Sequence, residues 1–297
     1  MLFSLRNKLL ILMIIPLLAF LIVSVLFMTE SAKGIRSAQQ AEVQMQAINE
    51  LSKLITAIQK ERGASISNLF GLDTGDTLAQ SRQEVAGIWE KNAAVFQSRI
   101  DPTQYATLES VVAGLETQRA NVDNKTYDDQ IIFNDYTTSI ATLLEVFETV
   151  AVNPDAEIQE IFSYISTFEY AKDSISRAVV LSTIYIAKDQ SIFESDVVNY
   201  SKAFSSIEIF LNYSKLKHNT ETKNRINALT ASADWTILKN AFITIVANAS
   251  TGAYNKDAGF IFTNTQQLVD RVQALIDSNL AISINDIEAY QIGRAHV

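Results

Sequence analysis

The chain has 297 residues, of which 48% are hydrophobic, so it can bury the core of one large domain or two small ones. Only 9 Gly and 3 Pro are present, and this composition favours helices over a β-sandwich or β-barrel with many turns. The net charge of −9 disfavours a nucleic-acid partner, and the absence of Cys excludes disulfides, cysteine nucleophiles and thiolate metal sites. No strand-like run interrupts the helical pattern, so the predicted fold class is all-α.

The amino end carries an uncharged apolar run, Leu9 to Met28, which as a helix of about 30 Å is long enough to cross a bilayer. The basic residues around this run predict that residues 1–8 are cytoplasmic and that residues 31–290 are extracytoplasmic. An uncleaved transmembrane helix over residues 9–28 of an inner-membrane protein is therefore predicted. A cleaved signal peptide is the alternative, but its apolar core would be shorter, and Met28–Ala32 is a poor cleavage site.

The first extracytoplasmic helix is predicted from Ser31 to about Leu69, with apolar residues at helical spacing. Arg62 falls on this apolar stripe, which places a permanently charged guanidinium on the face that is buried. Burying it without an opposite charge would cost several kcal/mol, which is about the stability margin of a whole domain. Either a carboxylate of the protein or a bound anion must therefore face Arg62.

Four helices are predicted after the first clear break, at Gly71–Asp76. Two of them begin at turns that contain proline, which suits the first position of a helix. The predicted ranges are 78–99, 102–122, 126–152 and, after Asn153–Asp155, a fifth helix that extends to Lys188.

The fifth helix is apolar on nearly every face from Ile175 to Ala187, which is typical of a central helix. Arg177 lies within this stretch, and Lys172 lies earlier among apolar neighbours. Asp173 shares a helix face with Arg177, so an ion pair within one helix is available to Arg177. No such pair is available to Arg62, because Glu61 is its immediate neighbour and points to another face.

The remaining helices are predicted over residues 191–217, 219–231, 234–249 and 257–290. In the last of them, Arg271 stands beside the apolar stripe. Roughly eight helices joined by short loops, following the membrane segment, predict two four-helix bundles that share long helices.

The final segment, Gln291–Val297, does not have the character of natural protein sequence. The codons ATC-GGA-AGA-GCA-CAC-GTC, part of a common sequencing adapter, encode Ile292–Val297. We therefore predict that residues 291–297 are an adapter artefact and that an untruncated gene continues beyond Tyr290. Genomic reads that cross this point with the same codons and no adapter match would contradict the prediction. Arg294 and His296 are excluded from site assignments.

Two inward arginines on separate central helices favour a shared anion site, although a single buried arginine is usually paired within its own domain. Planar guanidinium groups suit a small planar oxyanion, such as nitrate or a carboxylate. No Ser/His/Asp set, phosphate-binding glycine loop or metal-ligand spacing is visible in the sequence. No enzymatic activity, cofactor or metal is therefore predicted.

Three segments resemble signatures of the nitrate- and nitrite-sensing family, NIT: Lys60–Ser65, Ala171–Arg177 and Phe262–Val272. The resemblance covers about residues 40 to 290, and the order and spacing of the segments fit the family. The chain departs from the family pattern at three motif positions, which are Glu61, Ser174 and Ser176.

The resemblance implies an all-helical domain of two four-helix bundles, which in membrane receptors lies outside the membrane and is commonly homodimeric. Arginines from separate helices hold the anion in nitrate sensors of this family, and these roles would fall to Arg62, Arg177 and Arg271. Lys172, placed in the buried pattern, is a further candidate ligand. The predicted function is an extracytoplasmic sensor of nitrate or nitrite that relays binding to a cytoplasmic module. The alternatives are a sensor of another small anion, such as a carboxylate, and a ligand-free membrane-anchored scaffold.

Overall fold

The computed structural model describes residues 5–72, 76–153, 156–212 and 220–295. All regular secondary structure in these ranges is helical, which confirms the all-α prediction. The helices are, in chain order, α1 (Leu5–Leu69), α2 (Asp76–Arg99), α3 (Pro102–Asp123), α4 (Asp129–Val150), α5 (Ala156–Lys188), α6 (Glu194–Leu211), α7 (Thr220–Thr230), α8 (Ala233–Ala247), α9 (Ala258–Thr265) and α10 (Gln267–Ala295).

The predicted membrane segment and the first sensor helix form one continuous helix, α1. The large apolar side chains between Met13 and Met28 are exposed, whereas those from Met45 to Ile58 are mostly buried. In the part of the chain that the structure describes, α1 is the one helix long and apolar enough to cross a membrane. A signal sequence meets the same criteria of length and composition. Gly71, with φ of +67°, lies just beyond the end of the helix.

Side-chain caps fix several helix starts where the sequence predicted them. Asp101 accepts a hydrogen bond from the backbone N–H of Thr103 at the start of α3, and Ser232 caps α8 in the same way. α4 begins at Asp129, later than the predicted residue 126, because Asp128 is its cap and accepts a hydrogen bond from Ile131 N–H.

The last predicted helix, 257–290, is divided in the structure at Gln266. Gln266 keeps helical backbone angles, but Val269 N–H bonds to the carbonyl of Gln266, so the chain makes a tighter turn there. The hydroxyl of Thr265 also donates to the carbonyl of Ile261, which is a local side-chain bond of the kind that bends helices. The prediction of one continuous last helix was therefore wrong at this point.

α1 and α5 are the central helices of the fold. α1 packs against α2, α4, α5 and α10, and α5 packs against α6, α8, α9 and α10. The division into two four-helix bundles stays a prediction, as do the boundaries at residues 9–28 and 31–290. α10 extends to Ala295, and residues 296–297 of the predicted adapter segment lie outside the described residues.

Candidate anion-binding site

Arg62 lies in the middle of the helical core and is completely buried. One terminal nitrogen, Nη1, donates to Thr137 Oγ1 on α4 at 2.9 Å. The other, Nη2, donates to Asp173 Oδ1 at 3.1 Å and to Ser176 Oγ at 2.8 Å, both on α5. The ring of Phe133 lies 5.5 Å from the guanidinium carbon and adds a cation–π contact. Side chains from α4 and α5 thus converge on the guanidinium group that α1 carries.

The positive charge of Arg62 is only partly compensated. Burial lowers the pKa of Arg62, the carboxylate of Asp173 raises it, and the positive charge of Arg177 lowers it again. The Nε atoms of Arg62 and of Arg177 are both buried and have no hydrogen-bond partner among the described residues. Unpartnered buried N–H groups are costly, so each of these two nitrogens lacks an acceptor that it would be expected to have.

Arg177 is partly buried and forms neither an ion pair nor a hydrogen bond in the part of the chain that the structure describes. The pair with Asp173 that the helix spacing made available does not form, because Asp173 bonds across the helices to Arg62. The physical reason is burial: Arg62 is out of contact with water and needs a counter-charge, whereas Arg177 retains some access to solvent.

Lys172 lies in a separate buried cluster that joins α1, α5 and α10. Its Nζ is 2.8 Å from Glu169 Oε2, and it donates to Thr56 Oγ1 at 2.8 Å and to Gln273 Oε1 at 2.6 Å. Burial lowers the pKa of Lys172, and the carboxylate of Glu169 opposes that shift. The lysine is therefore already paired and hydrogen-bonded within the protein.

Arg271 lies at the surface, where its side chain is 48% exposed. Its Nη2 is 2.9 Å from Asp234 Oδ2 on α8. The positive charge of Arg177 is thus near enough to lower the pKa of Arg62, whereas Lys172 and Arg271 are each in an ion pair elsewhere.

Sequence reasoning did not find the neighbouring cluster around Glu61. This carboxylate is completely buried, and Arg119 on α3 donates to both of its oxygens at 2.8 Å. The hydroxyl of Tyr136 on α4 also donates to Glu61 at 2.8 Å. The pKa of Arg119 is raised, and its hydrogen bond to Glu61 is the largest cause. The one signal in the sequence was the acidic residue next to Arg62, and helical spacing did not show that Glu61 is buried.

A cavity of about 200 Å³ lies beside the Arg62 environment, between α1, α2, α5, α9 and α10. Gln59 and Ser176 line it, and both also bond to the Arg62–Asp173 pair, since Gln59 Nε2 is 3.4 Å from Asp173 Oδ1. Lys60 stands at its wall and pairs with Asp270 at 2.8 Å and with Glu84 at 3.5 Å. Among the described residues no group of three His, Asp or Glu side chains is placed to hold a metal.

Comparison with known families decides what kind of domain carries this site. The family model described as nitrate and nitrite sensing, NIT, matches residues 53–281. This chain belongs to the NIT family. The matched range contains all three segments on which the resemblance rested, and NIT domains are sensory rather than catalytic. Residues 53–281 therefore form a nitrate- and nitrite-sensing domain.

One solved structure supports the fold of this NIT domain. The protein in "Structure of the NasR transcription antiterminator" aligns with a TM-score of 0.74, covering 90% of this chain and 75% of that chain. The two sequences are 13% identical, so the similarity concerns the fold alone. A search of curated proteins finds no match to this chain.

Proposed function

We propose that this NIT domain binds nitrate or nitrite between α1 and α5 through Arg62 and Arg177. The observation that carries the proposal is the pair of buried Nε–H groups, one from each arginine, that have no acceptor among the described residues. The hydroxyl of Ser176 accepts from Arg62 and also lines the adjacent cavity, so it adds a neutral polar group beside the guanidinium. A small planar oxyanion matches the flat geometry of a guanidinium group.

Lys172 and Arg271 have weaker claims to a ligand role. Lys172 is already in an ion pair with Glu169, and Arg271 is in one with Asp234. Taking either cation away from its partner would leave a carboxylate uncompensated, which is most costly for the fully buried Glu169.

The same proposal places the domain on the outer side of a cytoplasmic membrane. Residues 9–28 would be the anchor, residues 31–290 the sensor, and residues 291–297 would be foreign to it. Because α1 is one helix from Leu5 to Leu69, a shift of the helix at Arg62 is passed along a rigid element toward the membrane. Binding would bias the packing of these helices in a homodimeric receptor and so reach a cytoplasmic module.

The test is ligand-dependent stability of the full chain in detergent micelles. Nitrate and nitrite should raise the melting temperature relative to chloride at equal ionic strength, because a ligand that binds only the folded state stabilises it. Formate and a dicarboxylate in the same series test the carboxylate alternative. A melting temperature that none of these anions changes would contradict the proposal.

Arg177→Gln is the decisive variant, because Arg177 forms no bond within the described structure and its loss should leave the fold intact. The variant should lose the nitrate-induced shift. Arg271→Gln is the matched control and should keep it, since Arg271 is engaged by Asp234 at the surface. If Arg177→Gln keeps the full nitrate-induced shift in melting temperature, or if Arg271→Gln loses it, the anion site lies elsewhere in the protein.

A ligand-free scaffold is the second candidate, and one contact favours it. Asp173 Oδ1 lies 3.1 Å from Arg62, so the protein itself supplies a counter-charge to the buried cation. This reading leaves Arg177 unpaired. It predicts that no anion changes the melting temperature and that Arg177→Gln is neutral or stabilising.

A further inference from the structure

The ionised groups around the Arg62 guanidinium carry a small net charge. The two side chains whose charges act on Arg62 are Asp173, which raises its pKa, and Arg177, which lowers it. The charges of Arg62, Arg177 and Asp173 therefore sum to a single positive charge. The other polar groups that contact Arg62, Thr137 and Ser176, are neutral.

The other charged side chains that adjoin Arg62 or the cavity form ion pairs of their own. Lys172 follows Glu169 by one helical turn, and the two form a fully buried pair at 2.8 Å. Lys60 pairs with the carboxylates of Asp270 and Glu84 at the cavity wall. Glu61, although next to Arg62 in the chain, is held by Arg119 through both of its oxygens.

A buried site with one uncompensated positive charge discriminates between anions by their charge. A singly charged anion brings the group of charges to neutrality, whereas a doubly charged anion leaves an excess negative charge in a site of low dielectric constant. Uncompensated charge in a protein interior is strongly unfavourable, so the second charge of sulfate weakens its binding instead of strengthening it.

We propose that Asp173 is the specificity-determining residue of this site and that its carboxylate restricts binding to singly charged anions such as nitrate, nitrite and monocarboxylates. The inference rests on the proposed function, because it assigns a role within the same anion site. Asp173 is only 8% exposed, and its Oδ1 contacts Arg62 and Gln59, so its charge is held at the site by the packing of α1 against α5. It acts through the net charge of the site and needs no contact with the anion.

The test compares direct binding of nitrate and sulfate by titration calorimetry on the full chain in detergent micelles. Direct binding is needed because sulfate also stabilises proteins without binding to them. The wild-type protein should bind nitrate at least about tenfold more tightly than sulfate. In Asp173→Asn, which keeps an acceptor oxygen for Arg62, this preference should fall by about tenfold or more.

Asp270→Asn is the control, because it removes the same charge from the exposed cavity wall, where Asp270 pairs with Lys60. It should leave the preference for nitrate over sulfate within about twofold of the wild-type value. Equal changes in the two variants, or an unchanged preference in Asp173→Asn, would overturn the inference while leaving nitrate binding in place. If Asp173→Asn does not fold, the wild-type measurement alone tests the inference. Sulfate binding as tight as nitrate binding would overturn it. A wild-type protein that binds no nitrate refutes the proposed function itself.

Discussion

At the scale of single residues, the core holds ionisable groups by different means. Arg62 has a carboxylate at one terminal nitrogen and hydroxyls around it, whereas Lys172 has a complete set of partners. Tyr200, on α6, is buried and shares a hydrogen bond of 2.5 Å with Ser182 Oγ on α5. Because the partners of these groups differ, a change in the charge or protonation of each group has a different effect on the stability of the fold.

Tyr200 makes the protein less stable in alkali. Burial raises the pKa of Tyr200 above its ordinary value of 10.0, so the folded protein keeps this proton where the unfolded chain loses it. The unfolded state then binds fewer protons, and the free energy of unfolding falls as pH rises above about 10. One such group contributes a slope of up to about 1.4 kcal/mol per pH unit.

Urea unfolding of wild type and Tyr200→Phe at several pH values from about 9 to 11 measures this slope. The variant loses the hydrogen bond to Ser182 at every pH, but its stability should fall less steeply between pH 10 and 11, by about 1 kcal/mol. Tyr127→Phe is the control, because Tyr127 is 44% exposed. Parallel curves for wild type and Tyr200→Phe would contradict the assignment.

At the scale of the helices, a close approach of α9 to α1 occurs at a glycine in the first family segment. A Cβ atom added to Gly63 would lie 3.1 Å from Phe262 Cε2 and 3.8 Å from Val180 Cγ2. Phe262 belongs to the third family segment and also lines the cavity beside Arg62. The absence of a side chain at Gly63 therefore sets how closely α9 covers the candidate anion site.

Gly63→Val should lower the free energy of unfolding by about 2 kcal/mol, because its side chain forces the ring of Phe262 aside. Gly63→Ala should stay within about 1 kcal/mol of wild type, since the better helix propensity of Ala offsets the tight contact. Gly87→Val on α2 is the matched control, because nothing lies within 4 Å of an added Cβ there. Chemical denaturation compares the variants, and equal effects at both glycines would remove the packing explanation.

At the scale of the whole molecule, α1 and α10 flank the polar cluster that contains Lys172. Gln273 of α10 accepts from Thr56 of α1 at 2.7 Å, and the two helices pack against each other. α1 also carries the exposed apolar segment at its amino end. A displacement near Arg62 therefore has a continuous path along α1 to its exposed apolar segment.

Fractionation of expressing cells tests the proposed anchor. The full chain should remain with the membranes after alkaline carbonate extraction, and a fragment that begins at Ser31 should be soluble, because the exposed apolar run from Met13 to Met28 has been removed. Mass spectrometry of the amino end is the control against a signal peptide. A mature protein that begins near residue 30 and is found in the soluble fraction would replace the anchor with a cleaved signal.

The sequence determined the features that depend on neighbouring residues. Apolar spacing and the prolines at two helix starts predicted most of the helices, because these signals act within a turn or two. The same spacing placed Arg62 and Lys172 on buried faces, and both are fully buried. The single-turn break at Gln266 was not predicted, because it depends on one local hydrogen bond rather than on a change of pattern.

Only the tertiary structure decided which charges meet. Asp173 lies one helical turn from Arg177 in the sequence, yet it pairs with Arg62 on a different helix. Glu61 pairs with Arg119 on α3. The physical reason is that an ion pair in the core depends on which helices lie side by side and on which cation is most deeply buried. The spacing along one helix carries neither kind of information, so the sequence supplied the arginines and the packing of α1 against α5 made them a candidate anion site.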